Sequence, residues 1–395
     1  MAFESIFVLG RQPAIGRAEL ESLFGASQLT RVGNHAVAAR VAPQDAPFDR
    51  LGGSVRLART IAVLDAVTWP DVVRAISTFL PDHLSMLPAG KLKLGLSVFD
   101  VPASPQQLFR TGLELKKVCQ AQGRSVRLVP NNNESALSSA QVLHNSLTGD
   151  LGLELLAMRD GDKTWLAQTV AVQNINAYAA RDQHRPKRDA RVGMLPPKLA
   201  QIIVNLAAGP LAPIPTNIIL DPFCGTGVIL QEAALMEYGQ YGTDLEPRMI
   251  DYTKQNLDWL ARAHHFADPV LEAGDATTHQ WQHAFSAVAS ETYLGRPLSG
   301  WPAPDKLRDI IGTCNVIIEK FLSNMAEQTA SGLRLCLAVP TWQSPDGRFY
   351  HLPLLDHLEN LGYNRVSFEH TQVSDLVYSR PEQFVARELL VITRK

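Results

Sequence analysis

Apolar and polar positions along the chain fall into short stretches whose period keeps changing. Residues 6–9 (Ile-Phe-Val-Leu) are an apolar run of the kind a buried strand makes. Residues 17–24 carry apolar positions at helical spacing and stop at Gly25, a helix terminator. Residues 36–41 read as another strand, and a second unit begins near Leu51-Gly52-Gly53. It predicts a helix over 71–79, a strand over 91–98, a helix over 105–122 closed by Gly123, and a strand over 125–129. The turn Asn131-Asn132-Asn133 leads to a helix over 138–146, then to strands over 154–159 and 164–172 forming a hairpin about Gly161. All of this is mixed α+β, with no catalytic constellation. Residues 177–197 are polar, basic and proline-containing, and read as a linker. From Lys198 the order is helix, strand, helix, strand, which predicts a mostly parallel sheet with helices on both faces.

Composition changes this picture little. With 395 residues, 46% hydrophobic and 19% charged, the chain is long enough for two or three globular domains. No apolar run is long enough to span a bilayer, and the start, Met1-Ala2-Phe3-Glu4-Ser5, lacks the basic and cleavable features of a signal peptide. The four cysteines (Cys119, Cys224, Cys314, Cys336) are scattered, so no metal site or disulfide framework is expected and a cytoplasmic setting fits. A net charge of −2 counts mildly against a nucleic-acid binder. Local clusters qualify that: Lys116 and Lys117 with Arg124 and Arg127, and a denser group of Arg181, His184, Arg185, Lys187, Arg188 and Arg191. The bland reading of either cluster is a solvated surface.

The sharpest motif is Ile218-Ile219-Leu220-Asp221-Pro222-Phe223-Cys224-Gly225-Thr226-Gly227-Val228. An apolar strand runs into a glycine-rich turn and then a helix, and the two glycines permit a tight turn and close ligand approach. Asp221 ends that strand, where open α/β sheets bind ligands. A second strand ends at Asp244, placed to accept from a ribose diol. A third is followed by Asp275, placed to accept from an adenine amino group. A dinucleotide fingerprint needs a third glycine and a helix N-terminus bare for pyrophosphate. Here that position is apolar and a carboxylate leads the turn, which suits the ammonium of S-adenosylmethionine (SAM) instead. The candidate cofactor set is Asp221, Phe223, Cys224, Gly225, Thr226, Gly227, Asp244, Leu245, Asp275 and Ala276. Cys224 reads as a small residue of the cofactor loop rather than a nucleophile.

These residues resemble the THUMP-containing tRNA guanine-N2 methyltransferases, in particular the branch that modifies guanosine at tRNA position ten. Asp221 to Gly227 matches that family's cofactor loop, and Arg188-Asp189-Ala190-Arg191-Val192-Gly193-Met194-Leu195-Pro196-Pro197-Lys198 matches the approach to it. Residues 178–186, with Arg181-Asp182 and Arg185-Pro186, resemble the family's linker, and residues 378–388 resemble its closing hairpin. Leu9-Gly10-Arg11-Gln12-Pro13 with Glu19-Leu20-Glu21 resembles its N-terminal ferredoxin-like part. The resemblance implies an α/β fold: a C-terminal Rossmann-like SAM methyltransferase over 198–395, a linker over 173–197, a THUMP RNA-binding domain over 56–172 and a ferredoxin-like piece over 1–55. It implies tRNA as partner, held in part through Arg181, Arg185, Lys187, Arg188, Lys116 and Lys117. It also implies a monomer, with a small activating subunit required by some relatives.

One departure stands out. The family's signature after the fourth strand is Asp-Pro-Pro-Tyr. Here a strand read over 284–289 is followed by Ser290-Glu291-Thr292-Tyr293. Glu291 falls where the family's aspartate stands, and Tyr293 offers an aromatic ring nearby. Guanine's exocyclic amine is a poor nucleophile, so a site must accept its hydrogen bonds and align it with the methyl group. A carboxylate does the first, and an aromatic ring stacks on a flipped base. Glu291 and Tyr293 are therefore the candidate catalytic pair, with Trp301 and Trp342 as less favoured stacking residues. Two alternatives stay open: methylation of amines in DNA or ribosomal RNA, and a SAM- and RNA-binding protein without turnover.

Overall fold

The computed structural model describes residues 2–189, 195–298, 300–381 and 383–395. Arg191 of the basic cluster, the stretch 190–194 of the approach motif, Met1 and Glu382 lie outside the described residues. The chain divides into two compact units: Met1–Arg17, Gly25–Asp49 and Gly53–Ala177 in one, and Ala18–Phe24, Arg50–Gly52 and Tyr178–Lys395 in the other.

The first unit is built on an eight-stranded sheet. Its strands are β1 (Ser5–Leu9), β2 (Leu29–Val32), β3 (Ala36–Ala39), β4 (Ser54–Leu64), β5 (Leu92–Phe99), β6 (Val126–Leu128), β7 (Gly152–Asp160) and β8 (Lys163–Val172). The order is β2-β3-β1-β4-β8-β7-β5-β6, antiparallel except where β5 meets β6 and β7. The helices are α1 (Pro13–Phe24), α2 (Trp69–Ser85), α3 (Pro105–Ala121) and α4 (Ser139–His144); the last turns of α1 belong to the second unit. The α2 helix runs beyond the expected end at 79. Leu80 and Leu84 continue the buried stripe of Trp69, Val72 and Ile76, and the interior Pro81 does not stop it. The β4 strand has no sequence counterpart above. Its Arg56 looks like a surface position yet is buried beside Glu154 at 3.3 Å, and Glu154 in turn accepts from Ser97 and Thr169 at 2.6 Å each. Through β4 the sheet is continuous across 1–55 and 56–172.

The expected linker begins as a helix, α5 (Ile175–Gln183), of which the part from Tyr178 onward belongs to the second unit. Asn174 caps it by accepting from Ala177 N at 3.0 Å, and two of its side chains are anchored: Tyr178 donates to Gln201, and Arg181 pairs with buried Glu232. Then follow α6 (Pro197–Ala208), β9 (Ile218–Asp221), α7 (Val228–Leu235), β10 (Gly239–Asp244), α8 (Pro247–Leu260), β11 (Val270–Ala273), β12 (Ala287–Glu291), α9 (Pro304–Gln328), β13 (Arg334–Gln343), β14 (Phe349–Tyr350), β15 (Tyr363–Arg365), β16 (Val377–Tyr378) and β17 (Val385–Arg394). The sheet order is β11-β10-β9-β12-β13-β17-β15, with β14 on β13 and β16 on β17. Strands β9 to β13 run parallel and β17 is antiparallel to β13. Leu220, Tyr241, Val288, Phe321, Leu335, Leu337 and Trp342 fill the core around it.

The chain leaves β9 toward β10 and β11, then returns to β12 on the other side of β9. This reversal creates a crevice at the carboxyl ends of β9 and β12, the place where open parallel sheets bind ligands. The β12 strand ends at Glu291 rather than at 289, because Ser290 and Glu291 continue the parallel ladder with Leu337 and Ala338. Among the described residues no helix is long and apolar enough to cross a membrane.

Candidate active site

A cavity of about 670 Å3 opens in that crevice. Three of its walls are strand ends and the turns after them: Asp221 to Thr226, Asp244 to Glu246, and Asp275 to Thr277. The fourth is Glu291 to Gly295 with Val316, Ile317 and Lys320 of α9. The sequence-derived cofactor residues other than Gly227 and both candidate catalytic residues therefore line one space.

The loop after β9 is held from several sides. Gly227 adopts a left-handed conformation at the start of α7, and a side chain there would also meet Thr253 at 2.7 Å. Thr253 donates to Gly225 O at 2.8 Å and Asn256 donates to Thr226 O at 2.8 Å, so α8 fixes the turn through two buried polar side chains. Gly225 N and Glu246 N, at 2.9 Å each, donate to the two oxygens of Asp244. That carboxylate thus links the turn after β9 to the end of β10. Gly227 acts behind the cavity, shaping the turn rather than lining the space.

Asp221 is fully buried. It accepts from Ser290 Oγ at 2.6 Å and from Phe223 N at 3.2 Å. Burial nonetheless pushes its carboxyl up to about 8, and the nearby Asp244 and Glu291 charges push the same way. Asp244 is also raised by burial. Asp275 is exposed and accepts from Thr277 N and Thr277 Oγ1 at 2.9 and 2.8 Å. Burial and the Asp221 and Asp244 charges lift the Cys224 thiol well above its ordinary range, which disfavours the thiolate that a nucleophile requires. The Phe223 ring packs edge-on against Phe321 at 5.2 Å.

The donor set fits SAM. Asp221, Asp244, Glu246 and Asp275 bring carboxylates to a cavity suited to a cation. Leu245 and Val316 are 65% and 49% exposed while lining it, apolar surface that an adenine ring would cover.

Glu291 accepts a hydrogen bond from Arg387 Nε, an ion pair with both side chains largely buried. Thr292, beside it in the wall, is buried, its N–H and hydroxyl both donating to Ala338 O. Tyr293 is 37% exposed at the cavity wall. Trp342 is fully buried core, and Trp301 packs against Tyr350 and Phe384, so neither reaches the cavity wall.

The candidate RNA-binding residues differ among themselves. Arg188 and Lys117 are exposed, and Lys116 and Lys187 are half-buried, Lys187 with its amine over the Tyr252 ring at 5.1 Å. Arg181 donates to Glu232 at 2.7 and 3.2 Å. Arg185 is 3% exposed. Sequence reasoning missed Ser290, Thr253, Asn256 and Arg387. The spacing of Thr253 and Asn256 on one face of an amphipathic helix was the available signal for those two. Ser290 and Arg387 stood inside motifs already noted, but their partners Asp221 and Glu291 are distant in sequence, so no local signal gave their roles.

Comparison with known proteins places a methyltransferase-like segment within the second unit. Residues 185–266 match the UPF0020 family, described as an RMKL-like methyltransferase domain. The chain is 30% identical over 148 residues to a tRNA (guanine(10)-N2)-dimethyltransferase of Methanothermobacter thermautotrophicus, covering 38% of this chain and 39% of that protein. It is 41% identical over 139 residues to the enzyme of the same name from Pyrococcus abyssi, covering 34% and 39%. The chain thus spans about two fifths of the length of the curated relatives it matches. In fold, the structure of TrmN from Thermus thermophilus superposes with a TM-score of 0.54 at 17% identity over 99% of both chains. That of SMU.472, a putative methyltransferase complexed with SAH, gives 0.50 at 12% over 99% and 98%.

Proposed function

From the match of residues 185–266 to the RMKL-like methyltransferase-domain family, we propose that the chain methylates the exocyclic N2 of a guanosine in tRNA, using SAM. One observation carries the reading: a single cavity joins the carboxylates of Asp221, Asp244 and Asp275 to Glu291 and Tyr293 at the end of β12. SAM supplies an electrophilic methyl group on a sulfonium.

The residues of the chain do the rest. Asp221 would sit beside the ligand's ammonium, Asp244 would accept from the ribose hydroxyls and Asp275 from the adenine amine. Leu245 and Val316 cover the adenine faces. Glu291 accepts hydrogen bonds from the target amine, which localises its lone pair; its carboxylate then offsets the positive charge that methylation places on the nitrogen and takes up the proton the nitrogen releases. Tyr293 stacks on the base once it is swung out of its helix. Residues 1 to about 170, as a THUMP-type module, would grip the tRNA by shape and phosphate contacts, with Lys117 among the exposed cations there and Arg188 exposed in the second unit. The four cysteines are free and buried, in keeping with a reducing cytoplasm.

Incubation with labelled SAM and undermodified tRNA, followed by digestion to nucleosides and mass spectrometry, tests the reading. Label in N2-methylated guanosine is expected. Label only in another nucleoside, or none at all, overturns it.

A further inference from the structure

Glu291 is followed by Thr292, Tyr293 and Leu294, so no proline stiffens the backbone beside it. A glutamate is one methylene longer than an aspartate and has an extra rotatable bond. Something else must fix the carboxylate if it is to act on a substrate.

Arg387 answers that need. It stands on β17 opposite Pro340 of β13, and Glu291 stands on β12 beside Ala338 of β13. Residues 338 and 340 lie two apart in one strand, so all four side chains share a face of the sheet. The guanidinium passes over β13 and donates through Nε to Glu291 Oε1. Only 9% of the Arg387 side chain and 14% of the Glu291 side chain are exposed, so neither charge has water as an adequate alternative partner. The contact is made through one oxygen. Among the described residues no hydrogen bond forms to Glu291 Oε2, while Glu291 itself lines the cavity.

We infer that Arg387 is a positioning residue for methyl transfer: by fixing Oε1 of Glu291 it directs Oε2 toward the target amine. The inference rests on the proposed function and adds a part that neither the cofactor loop nor the β12 motif contains. A charge-assisted hydrogen bond from β17, one strand beyond β13, thereby holds a carboxylate that no proline of its own loop stiffens.

The test compares steady-state methyl transfer to tRNA and SAM affinity in the wild type, Arg387→Gln and Arg387→Lys. Misplacement by about 1 Å lowers rate about 100-fold. Arg387→Gln is therefore expected to lose about that much in kcat, with KM for tRNA and Kd for SAM nearly unchanged. Arg387→Lys keeps the charge but not the planar fork, and should fall in between. If Arg387→Gln does not fold, the lysine variant decides: lowered kcat at unchanged KM supports the inference. Wild-type kcat in either folded variant overturns it, as does a loss confined to KM or SAM affinity. An inactive wild type overturns the proposed function and this inference together, whereas an active wild type with indifferent variants overturns this inference alone.

Discussion

Ser290, next to last in β12, donates its hydroxyl to Asp221 at the end of β9 at 2.6 Å, tying the candidate catalytic strand to the cofactor loop. The bond favours the ionised carboxyl, yet burial outweighs it and Asp221 is pushed up to about 8. The folded chain therefore keeps a proton that the unfolded chain releases near pH ~4. The stabilisation linked to that proton is complete below pH ~4 and is lost as pH rises through about 8. A cationic ligand group beside Asp221 reverses the preference and expels the proton. SAM affinity should then rise by up to about tenfold per pH unit on the approach to about 8. Calorimetry in buffers of different ionisation enthalpy should detect the released proton. In Asp221→Asn both the pH slope of affinity and the proton release should shrink; an unchanged slope contradicts the assignment.

Asp244 holds two backbone N–H groups and is the carboxylate placed for the ribose. Replacing it with alanine removes the ligand contact and the link between the turns after β9 and β10. Hydrogen bonds to charged groups contribute about 1.5–3 kcal/mol each, so a loss of SAM affinity of at least about tenfold is expected in calorimetry. Unchanged affinity removes Asp244 from the cofactor site.

The basic cluster around residues 181–188 should divide by function. Arg181 is 14% exposed and pairs with Glu232, which is 1% exposed. Removing one partner of such a buried pair typically costs about 3–5 kcal/mol, so Arg181→Ala should unfold at clearly lower denaturant concentration. Arg188→Ala and Lys117→Ala, at exposed positions, should leave stability unchanged. If these residues contact phosphates, each substitution should also reduce the salt dependence of tRNA affinity by about one unit of slope. A Lys117 or Arg188 variant with unaltered tRNA affinity counts that residue out of the RNA surface.

Much of the second unit was legible because its signals are local. The run 218–227 contains its own strand, turn and helix start, and Asp244 and Asp275 stand at strand ends that hydrophobic runs reveal. What stayed hidden depends on partners far away in sequence. The β4 strand was missed because Arg56 is made tolerable by Glu154, 98 residues later. The helix inside the expected linker owes its place to Glu232 and Gln201, which a reading of 177–197 alone cannot see. Arg387 lies 96 residues from Glu291, and only sheet order makes them neighbours. The basic cluster shows the converse: adjacency in sequence grouped Arg181, a buried ion-pair partner, with Arg188, which is exposed.

The most direct test of the account concerns Glu291 itself. Single-turnover methyl transfer to tRNA and SAM calorimetry should be run side by side on the wild type and Glu291→Gln. The amide keeps the shape but cannot hold a negative charge toward the amine, so transfer should fall by at least about 100-fold while SAM affinity stays within about twofold of the wild type, the cofactor contacts being intact. A glutamine variant that transfers methyl groups at the wild-type rate would contradict the central claim and leave Glu291 as a structural partner of Arg387 alone.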